Sequence, residues 1–369
     1  MNLLKEQPSK ESLSKKLFQL GHEHEIDGDI FDMEITPNRG DCLSLLGLSR
    51  DLNNFYQSDD PFKIYEADIE ILEFGFKNLA FKSCPKISFL EIEIDKNISP
   101  YKAYLENYFS KLGNNKTNFF TDISNYISYE RGQPTHCFER ESITNDLTFS
   151  NRTCAESFKT LLGNKIKIEG KNCVFTINDE IVSLAGVMGG ESTACSTNTR
   201  KVLVECAYFN PEDIIGKTVK YNLKSDAAHK FERGVDIASQ EIVLRRFISI
   251  VQDHTSIKSL RMNSFIGNKI KERYLPIETE RINKILGTKL TTDEYVNYLA
   301  GLGFEIKDKI KIPSFRHDID SQNDLSEEIA RIVGYDNIKS IPIKLSLNLE
   351  KEQNRISMIE DFFVENGFS

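Results

Sequence analysis

Glu205 closes the short apolar run Val202–Val204, and a carboxylate in that position has two uses. It is either a rim residue in solvent, the commoner outcome for such a pattern, or a reader of a polar group in a pocket. Upstream, Gly186, Gly189 and Gly190 follow another apolar run, which suits a strand whose exit brings bare backbone close to a ligand or a neighbouring segment. Downstream, Lys224, Ser225, Asp226, His229, Lys230, Glu232, Arg233 and Asp236 crowd around Ala227, Ala228 and Gly234, as a polar site or a solvated loop-helix junction would. His136 and Cys137 are adjacent, which raises a cysteine hydrolase. That chemistry needs the base to meet the nucleophile in space and be oriented by a third group, and adjacency supplies neither. A packed or lone positioning histidine is the commoner alternative.

Pro313 to Asn337 is the second stretch with chemistry. Asp324 and Glu327 fit a capping box, with Gly334 as the helix stop, and acids in a first turn suit the helix dipole. Asp324, Glu327 and Glu328 also fall at i, i+3 and i+4 on one helical face, and Asp318 can fold back on them. Four converging carboxylates repel unless a cation joins them, and oxygen-only ligands suit magnesium or calcium rather than zinc.

These residues need elements to hold them. Ser12 to Leu20 is a helix closed by Gly21, and Phe31 to Thr36 alternates as a strand. Asp41 then caps a helix with Leu45, Leu48, Leu52 and Phe55 on its apolar face, so residues 1–60 form a small alpha/beta module. Residues 61–83 are a linker with short strands. Leu90, Ile92 and Ile94 alternate with acids as a half-buried strand. Ser99 caps a helix with Pro100 at its first position and an aromatic stripe that Gly113 ends. Gly132-Gln133-Pro134 forces a turn, and 147–181 is mostly beta. From Phe265, a helix at Ile277–Leu286, a capping box at Thr291 and Glu294, and a hairpin around Phe304–Ile312 make a winged-helix-like module. Lys258, Arg261, Lys269, Lys271, Arg273, Arg281 and Lys284 near its start fit a nucleic-acid face, or more commonly an ordinary solvated surface.

At 369 residues the chain exceeds one ordinary core, so two or three domains are expected. A formal charge of −9 argues against gripping nucleic acid with the whole surface. No secretory signal or long apolar span is present, which points to a soluble, cytoplasmic protein with no membrane partner. The seven cysteines are scattered and never form C-x-x-C, against a disulfide framework or a structural zinc.

The succession ITPNRGDCLSLLGLSRDL, GQPTHCF, AGVMGGES, ECAYFNP, AHKFERGVD and PSFRHDID with DLSEEIARIVGYDNI closely resembles the beta subunit of bacterial phenylalanyl-tRNA synthetase, in the family's order across nearly the whole chain. The resemblance implies an α+β multidomain fold: the N-terminal B1-like module (1–60), a mixed alpha/beta B3/B4-like editing domain (84–262), a winged-helix-like B5 domain (265–340) and the start of a catalytic-like module (341–369). It implies an editing site that hydrolyses tRNA carrying tyrosine in place of phenylalanine. There Glu205 recognises the tyrosine hydroxyl, His136 lies near the aminoacyl ester, and Ser225, Ala227, Gly189 and Gly190 form substrate-binding wall. A buried carboxylate accepting a phenolic hydrogen bond is left unpaired by phenylalanine, which is a strong basis for discrimination.

The resemblance also implies that Asp318, Asp324, Glu327 and Glu328 bind a magnesium ion shared with the alpha subunit, in an alpha2beta2 tetramer that uses ATP and tRNA(Phe). Adenylate synthesis belongs to the alpha subunit, so this chain alone is not expected to charge tRNA. Where the family often has Thr and Arg, this sequence has Ser225 and Lys230, which changes pocket size and any bidentate contact. The sequence is similar to a short form of the subunit without the inserted oligonucleotide-fold domain, and its end at Ser369 reads as a fragment. A non-catalytic RNA-binding or assembly module with a decayed editing site is the runner-up.

Overall fold

The computed structural model describes residues 3–267, 271–340 and 351–368. Ser9 accepts from the Ser12 amide and starts the helix Lys10–Gln19, after which Gly28, at φ 57°, turns the hairpin Glu23–Asp27 and Ile30–Glu34. Asp41 does not cap the next helix. Ser44 does, accepting from the Gly47 amide at 3.0 Å, because the Asp41 carboxylate is held by Arg39 Nε at 2.9 Å.

The middle of the chain is built on two five-stranded sheets. The first runs, in spatial order, Glu70–Ile71, Ile257–Ile266, Lys86–Ile94, Lys201–Tyr208 and His136–Glu139. The second runs Met188–Gly189, Glu180–Leu184, Lys165–Ile177, Leu147–Lys159 and Phe76–Asn78. Successive side chains on a strand point to opposite faces. Val202, Val204 and Cys206 accordingly enter one core, under the helices Ala103–Leu112, Phe119–Arg131 and Gln240–Gln252. Leu203 and Ala207 enter another, between the two sheets.

Burial on both faces corrects the half-buried reading of Lys86–Ile94: even Glu91 is buried there, accepting from Arg140 Nε at 2.5 Å. The helix expected to begin at Ser99-Pro100 begins at Ala103, with Lys102 at its N-cap and no side-chain cap. The short strands expected in the linker 61–83 are Glu70–Ile71 and Phe76–Asn78, each at a sheet edge, and Phe74 and Phe76 pack on Phe89 and Phe265, so the linker is part of the core it precedes.

The last module pairs Arg273–Leu275, Ile310–Ile312 and Glu305–Ile306 in a small sheet beside the helices Thr279–Leu286, Thr292–Gly301 and Gln322–Val333. The Thr291–Glu294 capping box is present. That at Asp324 and Glu327 is not: the box lies one turn earlier, with Ser321 as N-cap and Asp324 as its third helical residue. The N-terminal module is not separate either. Leu17, Leu20, Leu52 and Tyr56 share one core with Tyr295, Leu299, Leu325 and Ile329, so the two ends of the described fold bury each other's apolar faces. Lys258, Arg261, Arg273 and Arg281 each pair with a surface carboxylate, which makes an ordinary solvated face. Lys269 and residues 341–350 lie outside the described residues. Within the stretch 341–369, a helix spans Lys351–Glu365.

Candidate functional site

The strand Lys201–Tyr208 lies between Lys86–Ile94 and His136–Glu139, and its register sets Glu205 opposite His136 on one side and Phe89 on the other. Directly opposed residues of antiparallel strands share a face, so Glu205 and His136 point the same way. Gln133 holds the start of the His136 strand: its Nε2 donates to the Ala207 carbonyl at 2.9 Å. Across from this face, Gly186, at φ 70°, turns the chain between Glu180–Leu184 and Met188–Gly189. The result is a cavity of about 60 Å³ lined by Thr135, His136, Met188, Gly189, Glu205 and Ala227 among others, with Phe209 and Phe231 as aromatic wall.

The structure therefore brings His136, Glu205, Gly189 and Ala227 together. Ser225 and Gly190 stand behind the wall. The Ser225 hydroxyl caps the helix Asp226–Arg233 by accepting from Ala228 N–H at 3.1 Å, and donates to the Val187 carbonyl at 2.6 Å, so it pins the glycine turn to the helix. Lys230 is not in the cavity. Its ammonium donates to the carbonyls of Leu43 and Ser128 and ties this helix to the N-terminal module.

Cys137 points to the opposite face from His136, into the helix-covered core, where its thiol meets the Phe120 carbonyl and burial pushes its pKa well up. A thiol so placed cannot pair with the neighbouring imidazole, and the cysteine-hydrolase alternative falls on geometry.

Glu205 is 4% exposed, and among the described residues no side chain pairs with its carboxyl. Burial raises its pKa from 4.5 to about 8, so it is mainly the neutral acid at pH 7 and both donates and accepts. Burial lowers the pKa of His136 to about 4, leaving a neutral imidazole whose Nε2 has no partner.

Linkage gives this a measurable sign. Between about 4.5 and 8 the native state holds a proton on Glu205 that the unfolded chain has released, so this group's contribution to stability falls as pH rises through that window. At roughly 1.4 kcal/mol per pH unit the loss is several kcal/mol. Glu205→Gln is expected to flatten that slope and to raise the unfolding free energy at pH 8, read by urea titration at pH 5 and pH 8.

The two glycines differ in what they tolerate. A Cβ on Gly189 would sit 2.3 Å from His136 Cε1, whereas one on Gly190 would sit 2.4 Å from the Val182 carbonyl oxygen. Gly189→Ala is expected to displace the imidazole and close the cavity with the fold retained. Gly190→Ala must move backbone, at a cost of about 1–3 kcal/mol. Melting curves for both variants, with ligand binding, check the contrast.

The four carboxylates of the second stretch do not converge into an oxygen cage. Arg316 takes both oxygens of Asp318, at 2.9 and 2.8 Å, and both of Glu328, at 2.8 and 2.7 Å. One Asp324 oxygen receives the Asp320 and Ser321 amides and the Ser321 hydroxyl, and Glu327 is exposed. The Arg316 guanidinium supplies the positive charge that neutralises Asp318 and Glu328. Arg331 extends the network, donating to Glu328 and, at 2.9 Å, to Asp51 Oδ2, which also meets His22 Nε2 at 2.7 Å. Arg39 completes it on Asp41 and Asp51.

Counting acids alone leaves out Arg316 and Arg331, although Arg316 stands two residues before Asp318. His22, Cys42 and Asp51 are the one group among the described residues with ligand atoms close enough for a metal. Arg39 already donates to Cys42 Sγ at 2.9 Å and to Asp51, and burial keeps the thiol neutral, so the positive charge a metal would bring is supplied.

Comparison with known proteins follows the same division. Residues 83–256 match the B3/4 domain and residues 275–335 the tRNA synthetase B5 domain. The phenylalanine-tRNA ligase beta subunit of Burkholderia lata is 30% identical over 324 residues, covering 86% of this chain and 40% of the relative. That of Syntrophotalea carbinolica is 30% identical over 366 residues, 92% and 44%, and that of Psychrobacter arcticus 27% over 361 residues, 93% and 44%. The chain thus spans 40–44% of the length of these relatives. An N-terminal fragment of the phenylalanyl-tRNA synthetase beta-subunit from Pyrococcus horikoshii superposes with a TM-score of 0.47 at 12% identity, covering 89% of this chain and 96% of that one.

Proposed function

The chain belongs to the phenylalanine-tRNA ligase beta-subunit family, and from that premise we propose that its B3/4 domain hydrolyses tRNA charged with tyrosine in place of phenylalanine. The observation that carries this reading is an unpaired, buried carboxyl, Glu205, in a cavity with otherwise largely apolar and backbone walls. A tyrosine hydroxyl satisfies that carboxyl and a phenylalanine ring leaves it unsatisfied, which costs about 1–3 kcal/mol. Bare backbone at Gly189 lets the aminoacyl end approach His136. One water attacks the ester carbon, the bond to the ribose oxygen breaks, and tyrosine and the free 3′ hydroxyl leave. The neutral imidazole, with Nε2 unpartnered, orients that water or accepts its proton. No protein nucleophile is required.

The cavity is small for a phenol ring, and Met188, unbranched and at the wall, is the side chain best able to yield. A non-hydrolysable amide of tyrosine on 3′-amino-adenosine is expected to bind at least tenfold tighter than its phenylalanine counterpart. Equal affinities would count against the reading.

In the same proposal, aminoacylation with ATP belongs to an alpha subunit joined to this chain in an alpha2beta2 assembly that takes tRNA(Phe). Magnesium usually keeps several waters and needs only one or two carboxylates. The oxygens left for it are those of Glu327 and the second oxygen of Asp324, while Asp318 and Glu328 position the helix through Arg316. When bound, the ion would screen these acids against acids of the partner. Glu327→Ala is expected to weaken magnesium-dependent association with the alpha subunit while leaving the melting temperature of this chain unchanged; sedimentation with and without chelator reads it. No helix of the described residues is long and apolar enough to cross a membrane. Seven free cysteines, six of them buried, suit the reducing cytoplasm we assign.

A further inference from the structure

A second and larger cavity, about 280 Å³, lies where the N-terminal, B3/4 and B5 modules meet. It is separate from the Glu205 cavity and shares no lining residue with it. Leu46, Ile242, Val243 and Phe315 give it apolar wall. Its charges are mostly spoken for. Asp41 is paired with Arg39, Asp59 with Lys5, and Asp60 with Arg131.

Two charges are left. Arg50 has no carboxylate partner among the described residues; its guanidinium lies on the Phe315 ring, 3.6 Å from the centroid, and its buried Nη1 has no hydrogen-bond partner. The Asp236 carboxylate accepts only the Ala238 amide, on one oxygen, and among the described residues no ion pair joins it to Arg50, while its backbone carbonyl takes Ser239. The cavity thus presents one uncommitted cation, held flat by an aromatic ring, and one carboxylate with a free oxygen, beside apolar wall.

We propose that this junction is a binding site for a small zwitterion with an apolar side chain, that is, a free alpha-amino acid, its carboxylate on Arg50 and its ammonium on Asp236. A dianion such as phosphate is disfavoured, because it would satisfy Arg50 and face Asp236. Size agrees: the volume is at the lower end of the roughly 300–1,000 Å³ of small-molecule sites, which suits an amino acid better than a nucleotide. A ligand held by side chains of all three modules would bind their assembled arrangement and so stabilise it.

The test is calorimetric titration of the full chain with L-phenylalanine and L-leucine, beside L-phenylalaninamide, which lacks the carboxylate, and 3-phenylpropionate, which lacks the amine. One equivalent of either amino acid is expected to bind, with both analogues at least tenfold weaker. Arg50→Gln and Asp236→Asn should each weaken binding at least tenfold, while Glu205→Ala leaves it unchanged, which separates this site from the editing reading. No binding of either amino acid to the native chain, or analogues that bind as well as phenylalanine, would overturn the proposal whatever the variants do. So would binding that survives Arg50→Gln, or binding lost in Glu205→Ala and kept in Arg50→Gln.

Discussion

Glu205→Ala is expected to lower the proposed hydrolysis of tyrosine-charged tRNA by one to two orders of magnitude and at the same time to make the chain more stable at pH 8. The two effects share one cause. Glu205 lies between Phe89 and His136 on the inward face of a strand buried on both sides, with no partner among the described residues. Holding an unpaired carboxyl there costs free energy, which is why burial drives its pKa to about 8. Removing it relieves that cost. In the proposed function it also removes the group that pairs with the tyrosine hydroxyl, and a buried hydroxyl left without its partner costs about 1–3 kcal/mol, or roughly 5- to 150-fold. Single-turnover deacylation and urea unfolding at pH 8 on the same preparations read both signs. A variant that loses both activity and stability would make Glu205 a structural residue instead.

Arg331→Met is expected to have the largest effect on stability, about 3–5 kcal/mol, because removing one partner leaves buried carboxylates uncompensated. Arg331 donates to Asp51 and Glu328, both buried, and to the Leu20 carbonyl at 2.9 Å. Burial by itself would raise both acids; Arg331 with Arg39 outweighs it on Asp51, and Arg331 with Arg316 holds Glu328 down to about 2. Carboxylates depressed in the native state stabilise it above their ordinary pKa and lose that contribution as pH falls through the native one. Without Arg331 the native values rise, and the acid-unfolding midpoint moves toward neutral pH. Thermal melting from pH 3 to 7 checks the shift, and a variant that melts like the native chain at pH 3 and pH 7 alike would contradict it.

What the sequence disclosed followed from local rules. The Thr291–Glu294 box is a pattern of four residues, and the winged module came from short-range periodicity and its turn. The environment of Glu205 was not local. The run Val202–Val204 says strand, but burial of both its faces depends on the helices Ala103–Leu112, Phe119–Arg131 and Gln240–Gln252 on one side and the second sheet on the other, all distant in sequence. The solvent reading was therefore the natural one and the structure reverses it. Acids alternating along Lys86–Ile94 suggest a wet face for the same reason, and Arg140, Lys201 and Arg261, brought in by other elements, make a buried Glu91 tolerable.

The opposite orientation of His136 and Cys137 needed only the knowledge that they lie on a strand, which the nearby turn at Gly132 did not supply. The carboxylates at Asp318, Asp324, Glu327 and Glu328 look like a set when only acids are counted. Counting Arg316 and Arg331 with them turns two of the four, Asp318 and Glu328, into a paired network.

The measurement that bears most directly on the central claim is hydrolysis of tyrosine-charged tRNA(Phe) by this chain, with phenylalanine-charged tRNA(Phe) as control and His136→Ala alongside. Release of tyrosine at least tenfold faster than of phenylalanine, reduced in His136→Ala, is the predicted result. Bound tRNA with neither amino acid released, in this chain and equally when it is joined to the alpha subunit, would contradict it and leave an RNA-binding module whose editing site has decayed.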